Sequence, residues 1–366
     1  MPTYSLTVRY TWNGVARQVT PRVTQPANDV ASRPVIVLLH GLSGDSRDMS
    51  APAKHPGLNH NRAAAYPAVR EHGWRTFPGL GLWSVATDPL DEVPGWEPVL
   101  NTNGFTTVNY SQATPKGPVT GEPLTQLAAV MGELMYDARF AGRSFVLVAH
   151  SRGGILARAL LVGARRGTLP VVAGRPFTLA RVRRLVTLHS PHQGSRLAAA
   201  GVQIDGLLND LANAVPAPLL TGLRDFLRTE VGALAFENIA FGSAFLADLA
   251  AGEPVPGIQY ATWGGTSTIF TRVRDWSFTA DSARPRWHAP PFYWRTQRTE
   301  WGTLLRVDGG VVPELTHGQG DLLVADAAAR LPHIPAAAHH TNPINHAEAL
   351  WHQSIQAQVI ANLQKP

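Results

Sequence analysis

The sequence predicts an α/β fold: a mostly parallel, doubly wound sheet with helices on both faces. Three observations predict it. Pro34-Val35-Ile36-Val37-Leu38-Leu39 and Ser144-Phe145-Val146-Leu147-Val148-Ala149 are continuous apolar runs, and a strand apolar on both faces fits a buried parallel sheet. The second run gives way at once to a helical pattern of apolar residues, Ile155, Leu156, Leu160 and Leu161. Strand and helix patterns alternate through most of the chain, which is the order of a parallel sheet with crossover helices.

The remaining elements follow in order. Tyr4 to Val23 has the alternation of a β-hairpin, with Asn13-Gly14 as its turn signal. Residues 44–104 are rich in Pro, Gly and Trp with no clear period, and they are expected to be a long insertion of functional character. Gly104 to Tyr110 is a further strand candidate, and Leu124, Leu127, Ala128, Met131, Leu134 and Met135 fall at helical spacing. Arg184 to Leu188 and Ile258 to Trp263 are two more strand candidates. The span 203–250 carries amphipathic helical sets, including Leu207, Leu208 and Leu211, then Leu219, Leu220, Leu223, Phe226 and Leu227. It is expected to form a helical lid or cap on one domain running from 1 to 366. No repeat and no low-complexity tract is evident.

Composition narrows the class. The 366 residues are 44% hydrophobic and 16% charged, which suits a globular protein with a sizeable core and not a disordered chain. The net charge is +6, and only Lys54, Lys116 and Lys365 of the 32 basic residues are lysine. A basic face could attract anionic lipid or nucleic acid. No helix-turn-helix, zinc-finger or RNA-binding signature accompanies it, so a solvated arginine-rich surface is the plainer reading and no nucleic-acid partner is expected. There is no cysteine, so disulfides, thiolate catalysis and zinc–thiolate sites are excluded. No signal peptide is visible at the N-terminus, which leaves the compartment open between secreted and cytoplasmic. No apolar run reaches the roughly 18 residues of a membrane span.

Chemistry is suggested where the second apolar run ends. Ala149-His150-Ser151-Arg152-Gly153 lies between a buried strand and an amphipathic helix. The nucleophile elbow of α/β-hydrolases, G-x-S-x-G, occupies this same context. Its small flanking residues let strand and helix pass at a sharp turn, and alanine stands here for the first glycine. Ser151 is therefore the candidate nucleophile. A serine hydroxyl needs a base to take its proton and an acid to orient that base. In this fold the order along the chain is Ser, Asp or Glu, His. Leu39-His40-Gly41-Leu42-Ser43-Gly44 follows the first buried strand. The oxyanion formed on attack needs pre-aimed N–H donors, and the backbone N–H groups of Leu42 and Arg152 are the candidates.

These segments resemble bacterial triacylglycerol lipases of the α/β-hydrolase superfamily. HGLSG at 40–44 resembles their oxyanion loop, and AHSRGG at 149–154 their elbow. SPHQGS at 190–195 resembles their T-P-H-x-G-S run, and Ser243 to Leu249 the end of their lid region. Gly320-Asp321-Leu322-Leu323-Val324 resembles their D-G-L-V acid loop, with leucine in place of its glycine. Asn345-His346-Ala347-Glu348 resembles the pair before their last helix. The resemblance implies Asp321 as orienting acid and His346 as base. Asp308, Asp326, His339, His340 and His352 are competitors, while His150 and His192 are expected to be structural. The spacing of His333, His339, His340, His346 and His352 does not repeat H-E-x-x-H, so no catalytic metal or other cofactor is expected. A structural calcium, which some such lipases hold, stays open.

The implied activity is a serine-dependent carboxylic-ester hydrolase, lipase-like, acting through an acyl-enzyme on small-molecule or lipid esters. Transient contact with a lipid surface goes with that. Trp74, Trp83, Trp96, Trp263, Trp276, Trp287 and Trp294 could line an acyl pocket or simply pack the core. Acyltransferase, thioesterase, amidase and polyester-depolymerase activities would use the same triad, and a catalytically silent binding protein is the reading from outside the enzymes. Oligomeric state is not legible.

Overall fold

The computed structural model describes residues 1–41, 46–51, 94–111, 113–114, 117–118, 123–199, 238–280, 294–306 and 312–365. Residues 52–93 of the expected insertion 44–104 and most of the expected lid span 203–250 lie outside these residues, as do Leu42 and Asp308. The main sheet draws on β1 (Thr3–Ser5), β4 (Arg22–Thr24), β5 (Val35–Leu39), β6 (Thr107–Tyr110), β7 (Phe145–His150), β8 (Val182–Leu188), β9 (Gln259–Gly265) and β12 (His339–Asn342). Their spatial order is β1-β4-β6-β5-β7-β8-β9-β12. From β6 to β12 every neighbour pair is parallel, and β1 and β4 add an antiparallel edge.

The interval 4–23 divides in two. β2 (Val8–Trp12) and β3 (Val15–Val19) make a separate two-stranded ribbon. Asn13 and Gly14 close it, both at positive φ (48° and 75°), as a type I′ turn demands. Its outer ends, β1 and β4, join the main sheet with Tyr4 opposite Val23. A second ribbon, β10 (Ile269–Ala280) against β11 (Trp294–Arg306), leaves the end of β9.

Alternation along β5 sorts its side chains between two cores. Val35, Val37 and Leu39 point to one face, with Leu147, Ala149 and Leu185. Ile36 and Leu38 point to the other, with Val146, Val148, Val186 and Leu188. The first face is covered by α2 (Leu124–Glu133) and α3 (Arg152–Arg166). The second is covered by α1 (Trp96–Thr102) and α5 (Gln353–Leu363), with α4 (Ala244–Ala251) packed on the α3 side. Each fully buried aliphatic side chain contributes roughly 1.5–3 kcal/mol, and both faces of the central strands are filled with them. α3 ends at Gly167, left-handed at φ 66°, where Thr168 N–H donates to the Gly163 carbonyl at 2.9 Å. No described helix is long and apolar enough to cross a membrane.

Candidate active site

The parallel strands deliver their C-terminal ends to one edge of the sheet, where α/β sheets place their ligand sites. His40, Ser111, Ser151 and His189 follow β5, β6, β7 and β8 there. Ser151 sits between β7 and α3 at φ 53° and ψ −127°. A non-glycine residue at positive φ is strained. The strain is enforced by packing: a Cβ on Gly153 would come within 2.7 Å of the carbonyl oxygens of Leu39 and His40. The Ser151 N–H donates to the Leu188 carbonyl at 2.9 Å, tying the turn to β8. Gly41 crosses directly in front, since a Cβ there would lie 3.0 Å from Ser151 Cβ. The segment after β5 thus runs beside the serine, although Leu42 itself is outside the described residues. Arg152 opens α3, with Ser151 at the N-cap.

Asp321 and His346 meet directly. His346 Nδ1–H donates to Asp321 Oδ2 at 3.0 Å, and the His346 backbone N–H donates to the Asp321 carbonyl at 2.9 Å. The turn carrying His346 is fixed by a reciprocal capping box. Glu348 N–H donates to Asn345 Oδ1 at 2.9 Å, and Asn345 N–H to Glu348 Oε2 at 2.8 Å. Asp321 Oδ1 accepts from the N–H groups of Leu323 (3.0 Å) and Val324 (2.7 Å). That tight turn puts Leu322 at φ 89°, the left-handed region where the lipase acid loops have glycine. Ser195 Oγ–H donates to the Leu323 carbonyl at 2.9 Å and braces the turn from behind.

His150, next to Ser151, links the elbow to this pair. Its Nε2–H donates to the His346 carbonyl at 3.0 Å, and the two rings lie 4.8 Å apart. Burial pushes the His150 pKa well below its ordinary value, reinforced by the neighbouring His346 and His189, so the ring is neutral. Burial alone would raise the pKa of Asp321, but His346 and the bonds from His189 and His346 outweigh it and hold the carboxyl well below the usual range.

His189 is the member that the sequence did not single out. Its Nδ1–H donates to the same Asp321 Oδ2 at 2.7 Å. Its pKa is lowered by burial despite the opposing pull of Asp321. Among the described residues, His189, Asp321 and His346 are also the one group of three whose ligand atoms, all within 4.8 Å, could hold a metal ion. The Nδ1–Oδ2 contacts fit hydrogen bonds, each requiring a proton between the atoms that a metal would displace.

The competing residues are engaged elsewhere. His339 bridges Thr262 Oγ1 (2.7 Å) and Asp326 Oδ1 (3.2 Å), and His340 stacks on Trp263 at 4.6 Å. His352 bonds Ser354 Oγ at 2.9 Å, and His192 bonds Thr187 Oγ1 at 2.8 Å.

Residues 124–217 match the family model described as PGAP1-like alpha/beta domain. That span includes β7, the elbow, α3 and β8. No curated protein matches. Among solved structures, a Bacillus licheniformis lipase in mature form is 15% identical over 93% of this chain and 96% of its own, with a TM-score of 0.44. A probable hydrolytic enzyme from Pseudomonas aeruginosa PAO1 is 14% identical over 100% and 95%, with a TM-score of 0.45. A thermostable carboxyl esterase from Bacillus coagulans is 12% identical over 73% and 80%, with a TM-score of 0.36. This chain's own strand order, its antiparallel β1–β4 edge and its left-handed serine between β7 and α3 make the architecture an α/β-hydrolase fold.

Proposed function

We propose that the chain is a serine hydrolase of carboxylic esters, with Ser151 as nucleophile, His346 as general base and Asp321 as orienting acid. The observation that carries this reading is the buried Asp321–His346 pair, locked by side-chain and backbone bonds and joined through the His346 carbonyl to His150, the residue before a serine held at positive φ. With Nδ1–H committed to Asp321, neutral His346 presents Nε2 as the lone-pair nitrogen, the tautomer a general base needs. His346 takes the Ser151 proton as Oγ adds to the ester carbonyl. The resulting imidazolium is stabilised by the Asp321 carboxylate. The oxyanion is met by the N–H of Arg152 and a donor from the segment after Gly41, for which Leu42 is the candidate. Collapse expels the alcohol, protonated by His346, and water activated by the same ring hydrolyses the acyl-enzyme.

Lipid-like esters are the favoured substrates, on the resemblance of the oxyanion loop, elbow and acid loop to those of lipases. The test is turnover of p-nitrophenyl esters from short to long acyl chains, with thioester and amide controls. Ser151→Ala is expected to lower kcat by at least about a thousandfold and to abolish labelling by a fluorophosphonate. Unchanged turnover in that variant would remove the assignment. Faster turnover of thioesters or amides would move the substrate class while keeping the triad.

A further inference from the structure

A second imidazole on the acid of a Ser-His-Asp set is not needed for the reaction as just described, so its presence asks for a reason. His189 is completely buried and sits at φ 53°, immediately beyond β8, with its backbone N–H donated to the Trp263 carbonyl at 2.7 Å. Its Nδ1–H reaches Asp321 Oδ2 at 2.7 Å, closer than His346 Nδ1 at 3.0 Å. Its Nε2 is buried with no hydrogen-bond partner among the described residues. The residue therefore carries a strained backbone and an unpaired buried nitrogen together, and an apolar side chain would avoid the second of these. The neighbourhood is cut to fit the ring, because a Cβ on Gly265 would come within 2.4 Å of His189 Cε1.

The geometry points to His189 as a positioning residue for the triad: its Nδ1–H pins Asp321 Oδ2 in the orientation that His346 requires. The inference rests on the triad reading above. Four donors converge on one carboxylate, namely two backbone N–H groups on Oδ1 and two imidazoles on Oδ2. A neutral donor fixes the carboxylate without cancelling its charge, which leaves that charge for the imidazolium formed at His346. An arginine in the same place would pin the oxygen equally well and neutralise it. The titratable groups around His189 are Asp321, His346, His150 and, farther off, Asp326, and Asp321 in turn helps to raise the pKa of Glu314 in the adjoining turn.

The experiment compares His189→Leu, which fills the space without a donor, with His189→Asn, whose amide nitrogen lies close to the position of Nδ1. Ser151→Ala serves as the inactive reference. On a p-nitrophenyl ester, H189L is expected to lower kcat roughly tenfold to a hundredfold, the worth of one charge-assisted hydrogen bond, with KM within about twofold. Its acid limb should move up by about half a unit, because Oδ2 keeps more charge facing His346. H189N should regain most of both. A folded H189L with wild-type kcat and acid limb, or an H189N as slow as H189L, overturns the proposal. Were Ser151→Ala itself active, the triad reading would fall instead.

If H189L does not fold, imidazole nitrogen resonances of the wild-type protein decide. His189 should hold its proton on Nδ1, with Nε2 bare, from about pH 7.5 to about pH 9. A proton on Nε2, or titration of the ring within that range, overturns the proposal.

Discussion

The side chains of Asp321 and Glu253 are each only 1% exposed, and they are satisfied in opposite ways. Glu253 faces the Arg158 guanidinium, which donates Nε–H to Oε1 and Nη2–H to Oε2, both at 2.8 Å, and Nη1–H to the His192 carbonyl at 2.8 Å. Asp321 receives its four bonds from backbone amides and imidazoles. The Glu253 charge is cancelled permanently, and that pair ties α3 to the chain after α4. In the proposed reaction the Asp321 charge, solvated by dipoles, is left available to a cation that exists only when His346 takes a proton. On that reading equal burial serves a static brace in one place and a responsive site in the other. The chemistry of the donors separates the two cases.

The largest effect expected from this contrast is on rate. Asp321→Asn should lower kcat/KM on the order of a thousandfold to ten-thousandfold, as amide replacement at the acid of a measured triad does. Its amide can offer His346 an N–H where an acceptor is needed, which forces the wrong tautomer. Asp308→Asn, assayed in parallel, should remain near wild type, and a collapse there would transfer the acid role to Asp308. Next in size is an effect on stability alone. Arg158→Met strands Glu253 in the core and should cost about 3–5 kcal/mol in denaturant unfolding. Adding Glu253→Gln should recover part of that loss. The folded fraction should hydrolyse esters at near the wild-type rate. A large fall in kcat at unchanged stability would mean that the two carboxylates are not functionally separate.

Ser151, Asp321 and His346 could be picked out of the sequence as candidates because each lies in a short segment with its own local rules. An elbow needs small neighbours, and Gly153 is indeed pressed against two carbonyls. The central strands were legible from unbroken apolar runs, and Val35–Leu39 alternates between the two cores. What escaped notice depends on pairing and not on pattern. β12 reads His-His-Thr-Asn and has no hydrophobic signature, and it is a strand through its register on β9, Thr262 to His339. The ribbon 269–306 carries arginines and threonines in place of a clean apolar alternation. His189 meets Asp321 across 132 positions, and it can do so because β8 and β9 align Leu188 with Trp263. Leu322 illustrates a different limit: a leucine where glycine is customary gives no hint that the backbone will still be left-handed, at φ 89°.

The smallest expected effect concerns protons. His150, His189 and His192 are all fully buried, and burial is the leading cause that lowers the pKa of each. A histidine whose folded pKa lies below its unfolded value of about 6.5 binds its proton first in the unfolded chain, so stability drops as pH falls below that value. Each such ring contributes a slope approaching about 1.4 kcal/mol per pH unit until its folded pKa is reached. Asp321 acts in a separate window. Its depressed pKa adds stability above the unfolded carboxyl value of about 3.9, and that contribution is lost as pH falls through the folded value. Thermal unfolding followed from about pH 8 to about pH 5 should therefore show Tm falling before Asp321 titrates. His192→Asn, which removes one buried ring away from Asp321, should make the decline shallower without moving the acid limb of the hydrolysis. A flat Tm across that range would mean that these rings take up protons in the folded chain as readily as in the unfolded one, and so are charged by about pH 5. His189 would then carry a charge beside Asp321, and the distinction between a responsive carboxylate and a neutralised one would not hold.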